Sequence, residues 1–293
     1  MTHGSQPDIG RILSASGAHN ADAMAVHAFA RLGSTNEWLR EQRPGLLDKL
    51  ARGQCQLCVT DWQQAGVGRR GKSWQTQPGN ITFSLLQRQN CPAQALLGLS
   101  LVTGIAVAEA LQESMGLHVM LKWPNDIILD NRKLGGLLIE LISGSLSSAQ
   151  TPADYSTNEH KVVDQTHSFT DSITGIGLNV IHDDSVTGLG IGGTSLHQAG
   201  FALDQHQRDT VIGSIAGKVV AHHERFVAGG WSSFAEDWRN RDWLSGKPIA
   251  IHRESITEHA IARGVNEEGA LLVESAGTLS PLYGGNVSIR PEV

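Results

Sequence analysis

The chain reads as an α+β protein: a large domain of alternating helix-like and strand-like pieces, followed by a small domain of short β-runs. Three observations predict it. Helical and strand periods alternate from Ala21 onward, the character changes after Ser245-Gly246-Lys247-Pro248, and 293 residues exceed the roughly 250 at which single cores stop growing. Residues 1–20 are polar and small and read as a loose tail. Ser34-Thr35-Asn36-Glu37 ahead of Trp38 and Leu39 supplies a capping side chain and predicts a short helix. Gln56–Thr60, Ile81–Leu86 and Val119–Lys122 read as strands. Ala95–Leu111 is the most apolar stretch, but it holds Gly98, Ser100, Thr103, Gly104 and Glu109 and falls short of the ~20 residues of a membrane span, so it reads as a buried helix.

Asp126–Asp130, turned at Asn131-Arg132, pairs with Leu134–Leu141 as a hairpin. Residues 144–171 are rich in Ser, Thr, Asp, Asn and Gln and predict a loop insertion. Ser172–Val180 is a strand with Gly175 and Gly177 at alternate positions, which implies close approach to its backbone. Thr210–Phe226 carries helical spacing, and Trp231, Phe234 and Trp238 continue it on a second short helix. Turns at Glu267-Glu268-Gly269, Ser275-Ala276-Gly277 and Gly284-Gly285 then divide a barrel-like piece. The expected division is 1–20 tail, 21–245 large domain and 246–293 small domain.

Lys plus Arg number 23 against 29 Asp plus Glu, a formal net charge of -6, so no global basic field holds nucleic acid or anionic lipid. Cys55, Cys58 and Cys91 exclude a disulfide scaffold and fit a reducing cytosol. Cys55-Gln56-Leu57-Cys58 lies on an expected strand with no second such pair, so these two cysteines read as structural, and His222-His223 lacks the spaced partners of a metal site. No basic segment followed by an apolar run opens the chain, so no signal peptide is expected.

Chemistry concentrates in two stretches. Gly66 to Ser73 satisfies G-x-x-x-x-G-K-[ST], but a phosphate loop must open a helix, and here Gln75-Thr76-Gln77-Pro78-Gly79 and a strand follow. Its glycines let successive N–H groups converge on an anion, and Arg69, Arg70 and Lys72 add charge; the plain alternative is a solvated basic turn. In Lys122-Trp123-Pro124-Asn125-Asp126, amide and carboxylate stand at a strand end, with Lys133-Leu134-Gly135-Gly136 just past the hairpin turn. Two lysines and an Asp converging suit a carboxylate meeting a triphosphate, with Asp126 able to hold Mg²⁺; an ordinary hairpin with a surface Lys-Asp pair is the plain alternative.

Ser34-Thr35-Asn36, Gln63 to Trp74, Lys122 to Asp126, Arg132 to Gly136, Gly175 to Val180 and the closing Gly285 to Arg290 together resemble the biotin protein ligase family, in its order and spacing. The resemblance implies a mixed-sheet catalytic domain flanked by helices, similar to class II aminoacyl-tRNA synthetases, then a small SH3-like barrel. It implies that biotin and MgATP give biotinoyl-AMP and pyrophosphate, after which a lysine of the biotin carboxyl carrier protein of acetyl-CoA carboxylase attacks the anhydride. Ser34, Thr35, Asn36 and Gln63 resemble the biotin-recognition set, joined by Val67, Gly68, Arg69, Lys133, Gly136, Gly175 and Gly177. Arg69, Arg70, Trp74, Lys122, Asn125 and Asn179 resemble the ATP set, with Trp74 the adenine's aromatic partner and Gly175, Gly177 and Asn179 the floor. Lys133, Arg69, Lys122 and Asp126 resemble the catalytic group, and Asp126 the Mg²⁺ contact.

The chain departs from the family at Val67, where many members have Arg, at Lys72 and at Asn286, where Glu is common. Some members carry an N-terminal helix-turn-helix domain, whereas about 30 residues precede Ser34 here, so a monofunctional ligase without sequence-specific DNA binding is expected. A homodimer through sheet edges is open. The rivals are a lipoate or octanoyl ligase of the same fold, whose Arg-Arg-x-x-Gly-Gly-Gly run does not occur here, and a non-catalytic biotin sensor.

Overall fold

Ile81, Phe83, Leu85, Ile176 and Leu178 alternate with Thr82, Ser84, Gly175 and Gly177 in the middle of the main sheet and give it two unlike faces there. A computed structural model describes residues 6–17, 23–74, 76–146, 167–181, 192–253, 256–284 and 287–291. Its strands are β1 (Met24–Leu32), β2 (Cys55–Gln63), β5 (Ile81–Gln89), β6 (Met120–Lys122), β7 (Asp126–Leu129), β8 (Arg132–Leu146) and β9 (His167–Leu178), in the order β1-β2-β5-β9-β8-β7-β6. The sheet is mixed: β1 and β2 run parallel and every other pair antiparallel. Two short strands between β2 and β5, β3 (Gly66–Val67) and β4 (Ser73–Trp74), form a separate flap.

On one face Leu57, Val59, Phe83, Leu85, Ile176, Leu137 and Ile127 are buried in a single apolar core with helices α4 (Leu99–Met115) and α5 (Gln205–Gly229). Gly104 in α4 permits this contact, since a Cβ there would stand 3.3 Å from Leu121. The stretch Ala93–Met115 is apolar and long enough to cross a membrane, but 67% of its apolar window is buried inside the protein, as the sequence expectation of a core helix requires. The opposite face carries a smaller cluster of Leu39, Leu46, Leu50, Cys58, Leu86 and Ile173 beneath α2 (Thr35–Gln42) and α3 (Leu47–Ala51). Cys55 and Cys58 are buried free thiols, pushed up by burial.

Two expectations are corrected. The tail is not loose throughout: α1 (Ile9–Ala15) forms, capped by Asp8, whose side chain accepts from Arg11 N. It packs on α5 at Gly213 and Gly217, where a Cβ would overlap the carbonyl oxygens of Ile12 and Ser16. Ile12 is fully buried, a contribution of about 1.5–3 kcal/mol. Nor do residues 144–171 all form an insertion, because β8 runs to Leu146 and β9 starts at His167, with Ser143 opposite Thr170 and Gly144 opposite Phe169. Polar Asp171 belongs to the strand because Arg43 Nε (2.8 Å) and Arg88 Nε (2.7 Å) donate to its fully buried carboxylate. Residues 147–166 lie outside the described ones.

The C-terminal strands, β10 (Pro248–Arg253), β11 (Ile256–Val265), β12 (Leu271–Ser275), β13 (Thr278–Leu282) and β14 (Val287–Pro291), follow the short helix α6 (Ala235–Arg239). They form an antiparallel sheet in the order β13-β12-β11-β10-β14, with β13 and β14 as its edges among the described residues. This sheet docks on the larger one where Trp123 Nε1 donates to Gly269 O (3.0 Å) and Gly269 meets Gly98 backbone to backbone. Of the closing Gly285–Arg290 motif, Gly285 and Asn286 lie outside the described residues.

Candidate active site

Beyond the edge of α2, register decides what the second face of the main sheet presents. Ser84 pairs with Gly175 and Thr82 with Gly177 across β5 and β9. Gly136 pairs with Gly177 across β9 and β8, Asp126 with Gly136 across β8 and β7, and Lys122 with Asp126 across β7 and β6. Hydroxyls, glycines, a carboxylate and an ammonium therefore line one face in that order.

At the end nearest α2, Ser34 caps the helix by accepting from Glu37 N, as its sequence predicts, and turns Thr35 and Asn36 inward. Gln63, at the end of β2, accepts at Oε1 from Thr35 N (3.0 Å), with Thr35 Oγ1 standing 3.2 Å from the same oxygen. Thr35 Oγ1 meets Ser84 Oγ at 2.7 Å, and Ser84 Oγ donates to Asn36 Oδ1 at 2.5 Å. Asn36 Nδ2 donates to Glu140 Oε1 at 2.8 Å, and Glu140 Oε2 accepts from Arg40. Asn36 lies on Gly175, where a Cβ would overlap Oδ1.

At the other end Asp126 is clasped by Lys133 Nζ (2.5 Å) and Lys122 Nζ (3.3 Å). Burial pushes the Asp126 carboxyl up, but the two ammoniums more than offset it and hold it below the usual carboxylate range. Burial lowers Lys122, opposed by Asp126, and likewise lowers Arg69, helped by neighbouring Arg70. Lys133 reaches Asp126 because of a register shift. Ile127 pairs with Gly135 but Ile128 with Lys133, so β8 carries one extra residue and Lys133 emerges on the face of Asp126. The segment from Gly192 to Thr194 braces this bulge: Lys133 N donates to Gly192 O (3.0 Å), Thr194 N donates to Lys133 O (2.9 Å), and Asn179 Nδ2 donates to Thr194 O (3.1 Å). The β7–β8 turn falls on Asp130 and Asn131, both with positive φ (49° and 59°), one residue earlier than expected.

The flap joins the two ends. Gly66 and Val67 pair with Trp74 and Ser73 around a 3₁₀ turn at Arg69–Gly71, so the segment opens no α-helix. Arg69 Nη1 donates to Asn125 Oδ1 (3.3 Å), and Nη2 to the carbonyl of Gly284 from the C-terminal sheet. Asn125 is itself held by Leu137 O (2.7 Å). Trp74 lies over Gly177, whose Cβ would be 2.7 Å from Nε1, with Lys133 Nζ 5.5 Å from the ring centroid. Trp74 Nε1 is buried and has no hydrogen-bond partner among the described residues.

The structure thus gathers Ser34, Thr35, Asn36, Gln63, Arg69, Trp74, Lys122, Asn125, Asp126, Lys133, Gly136, Gly175 and Gly177 along one face, with Asn179 fixed behind Lys133. Gly68 sits in the flap, while Val67, Arg70 and Lys72 lie exposed on it. Asp126 is the carboxylate the implied Mg²⁺ would use, and in this arrangement both of its oxygens accept from ammoniums. Among the described residues no three His, Cys, Asp or Glu side chains gather, so a Mg²⁺ here would be held by Asp126 together with the nucleotide's phosphates.

Residues 34–151 match the biotin/lipoate A/B protein ligase family. The chain is 30% identical over 292 residues to the bifunctional ligase/repressor BirA of Salmonella typhimurium, covering 98% of this chain and 81% of that one. The chain belongs to the biotin protein ligase family. It is also 27% identical over 251 residues to the biotin--[acetyl-CoA-carboxylase] ligase of Paracoccus denitrificans, covering 84% of this chain and 92% of that one. The biotin protein ligase of Aquifex aeolicus, solved in complex with biotin and ATP, has the same fold, with a TM-score of 0.68 at 24% identity over 92% of this chain and 99% of that one.

Two members of this ligase's site escaped the sequence reading. Ser84 sits in Ile81–Leu86, where Thr82 and Ser84 alternate with apolar residues, and Glu140 is the one acid in Leu137–Ile142. Each is a polar residue on a face that apolar neighbours would otherwise fill, which is the signal that could have found them.

Proposed function

We propose that the protein joins biotin to a lysine of a biotin carboxyl carrier protein through a biotinoyl-AMP intermediate. The observation that carries this is the glycine floor of Gly175, Gly177 and Gly136, which connects a matched set of amides and hydroxyls to a cluster of partly buried cations on one sheet face. Biotin offers the two chemistries at its two ends, a ureido ring with both N–H and C=O groups and a carboxylate. A lipoyl group offers no ring donors or acceptors and would leave Asn36 and Gln63 unpaired, a mismatch that disfavours it strongly.

In the first step the biotin carboxylate attacks the α-phosphorus of ATP; an O–P bond forms, pyrophosphate leaves, and the product is a mixed anhydride. Lys133, Lys122 and Arg69 are the fixed positive charges for the carboxylate and the phosphoryl oxygens, and Asp126 keeps the lysines in place as their counter-ion. Mg²⁺ accompanies the nucleotide's phosphates, and no step rests on a protein metal site. Trp74, whose indole N–H awaits a partner, is the adenine's aromatic contact, with Asn125 and Asn179 ordering the walls. Next, the carrier's lysine amine attacks the biotinoyl carbonyl, the C–O bond to phosphate breaks, and AMP departs. Residues 21–245 form the catalytic domain on this reading, and residues 246–293 an SH3-like domain that meets the flap through Arg69.

Biotin-dependent exchange of pyrophosphate into ATP and biotinylation of a carrier domain test the proposal. Lys133→Ala is expected to lose roughly 10²-fold in adenylation with the fold intact, the scale of removing a preorganised charge-stabilising group. A wild-type protein that exchanges no pyrophosphate, or a variant at full rate, refutes it.

A further inference from the structure

Glu140 touches no reacting group, yet it is bonded to Asn36 (2.8 Å) at one end of a continuous chain of hydrogen bonds. An ionised carboxylate can only accept. Asn36 must therefore turn Nδ2 toward Glu140, which leaves Oδ1 facing Ser84 at 2.5 Å and obliges Ser84 Oγ to donate. With its one proton so placed, Ser84 Oγ can only accept from Thr35 Oγ1 at 2.7 Å. Beyond Thr35, Gln63 Oε1 is occupied by Thr35 N (3.0 Å), so Nε2 is the Gln63 atom left to donate, beside Gly66. Arg40 completes the other side of Glu140, its Nε 3.0 Å from Oε2, and holds the carboxylate in orientation.

We infer that Glu140 is a positioning residue that sets the direction of the protons from Asn36 through Thr35, and so decides which atoms of the recognition network donate to the ligand and which accept. This rests on the proposed ureido-ring ligand. Without an acceptor-only partner, the Asn36 amide turns over at little cost, Ser84 can reverse, and the network presents both patterns.

The test compares biotin with 2-iminobiotin, whose ring carbonyl oxygen is replaced by an imino group, at one pH. Wild type should prefer biotin, and Glu140→Gln should narrow that preference about tenfold or more, acting on KM for biotin rather than on kcat or on KM for ATP. Glu140→Asp, still acceptor-only, should retain the preference even if both ligands bind more weakly. A Glu140→Gln preference equal to wild type overturns the inference, as does its loss in Glu140→Asp. The exchange rate of the Asn36 side-chain amide protons in ligand-free protein gives a second readout: slow in wild type and Glu140→Asp, faster by about tenfold or more in Glu140→Gln. Rapid exchange in wild type overturns the positioning role. If wild type binds no biotin while the exchange pattern holds, the ligand reading fails and the positioning role stands.

Discussion

Gly175→Ala tests the recognition end of the site with one methyl group. The new Cβ would overlap Asn36 Oδ1 and stand 3.1 Å from Asn36 Cγ, against an ordinary carbon–carbon separation of about 3.5–4.0 Å. Gly175 lies mid-strand without positive φ, so the backbone accepts alanine and Asn36 must retreat by roughly half an ångström to one ångström. That retreat breaks or stretches the bonds to Ser84 (2.5 Å) and Glu140 (2.8 Å). One neutral hydrogen bond is worth about 0.5–1.5 kcal/mol and one to a charged group about 1.5–3 kcal/mol, so roughly 2–4 kcal/mol is at stake. Calorimetric titration should show biotin affinity falling about 10- to 30-fold, since each 1.4 kcal/mol is tenfold and part of the loss appears as lowered stability instead. In an Asn36→Ala background the same methyl group meets no amide, so its added effect should shrink by about 1 kcal/mol or more. Affinity within twofold of wild type in a folded Gly175→Ala protein, or full additivity with Asn36→Ala, refutes the geometry.

Asp126→Asn removes the counter-ion that holds Lys122 charged against its burial. Its ammonium should deprotonate at lower pH, moving the alkaline limb of the adenylation rate profile downward; an unmoved limb contradicts the role. Burial pushes the His223 imidazolium from its ordinary 6.5 down to about 3, because the ring lies fully enclosed between Thr103 and Gln87 with His222 adjacent. The unfolded chain then binds a proton below about 6.5 that the native protein refuses. The neutral ring's stabilisation is whole above pH 6.5 and lost as pH falls toward 3, by up to roughly 5 kcal/mol, and His223→Gln should flatten the acid limb of a urea-unfolding series. Asp171→Ala strands Arg43 and Arg88 in the interior and should cost about 3–5 kcal/mol, read as a fall in thermal midpoint; no change means the carboxylate is not their counter-charge.

Features whose causes lie close in the chain were legible. The Ser34 cap, the buried α4 and the hairpin of β7 and β8 rest on neighbours a few residues away, and their place in the sequence marked the cap at its residue, the hairpin turn within one residue and α4 within four at each end. Features with distant causes were hidden. Helix α1 is held where Gly213 and Gly217 open a groove some 200 positions later, so its short sequence among polar and small neighbours suggested a tail. Asp171 stands in a strand because two arginines from other elements neutralise it, so its polarity suggested a loop. At the site, the residue types of the cationic cluster were readable from their order, whereas Glu140 emerged only once Asn36 was found bonded to it.

The extra residue in β8 makes the reach of Lys133 a matter of parity. Counted back from Gly136, a regular ladder sets Leu134 opposite Ile128 and sends Lys133 to the apolar core side; the added position restores it to Asp126. Deleting Arg132 would let the ladder close without the extra residue and send the ammonium among the side chains that pack on α4, while deleting Leu134 would remove the extra residue itself and leave Lys133 opposite Ile128 on its own side. The position of a length change in this hairpin, as much as its size, therefore decides the face on which the charge appears.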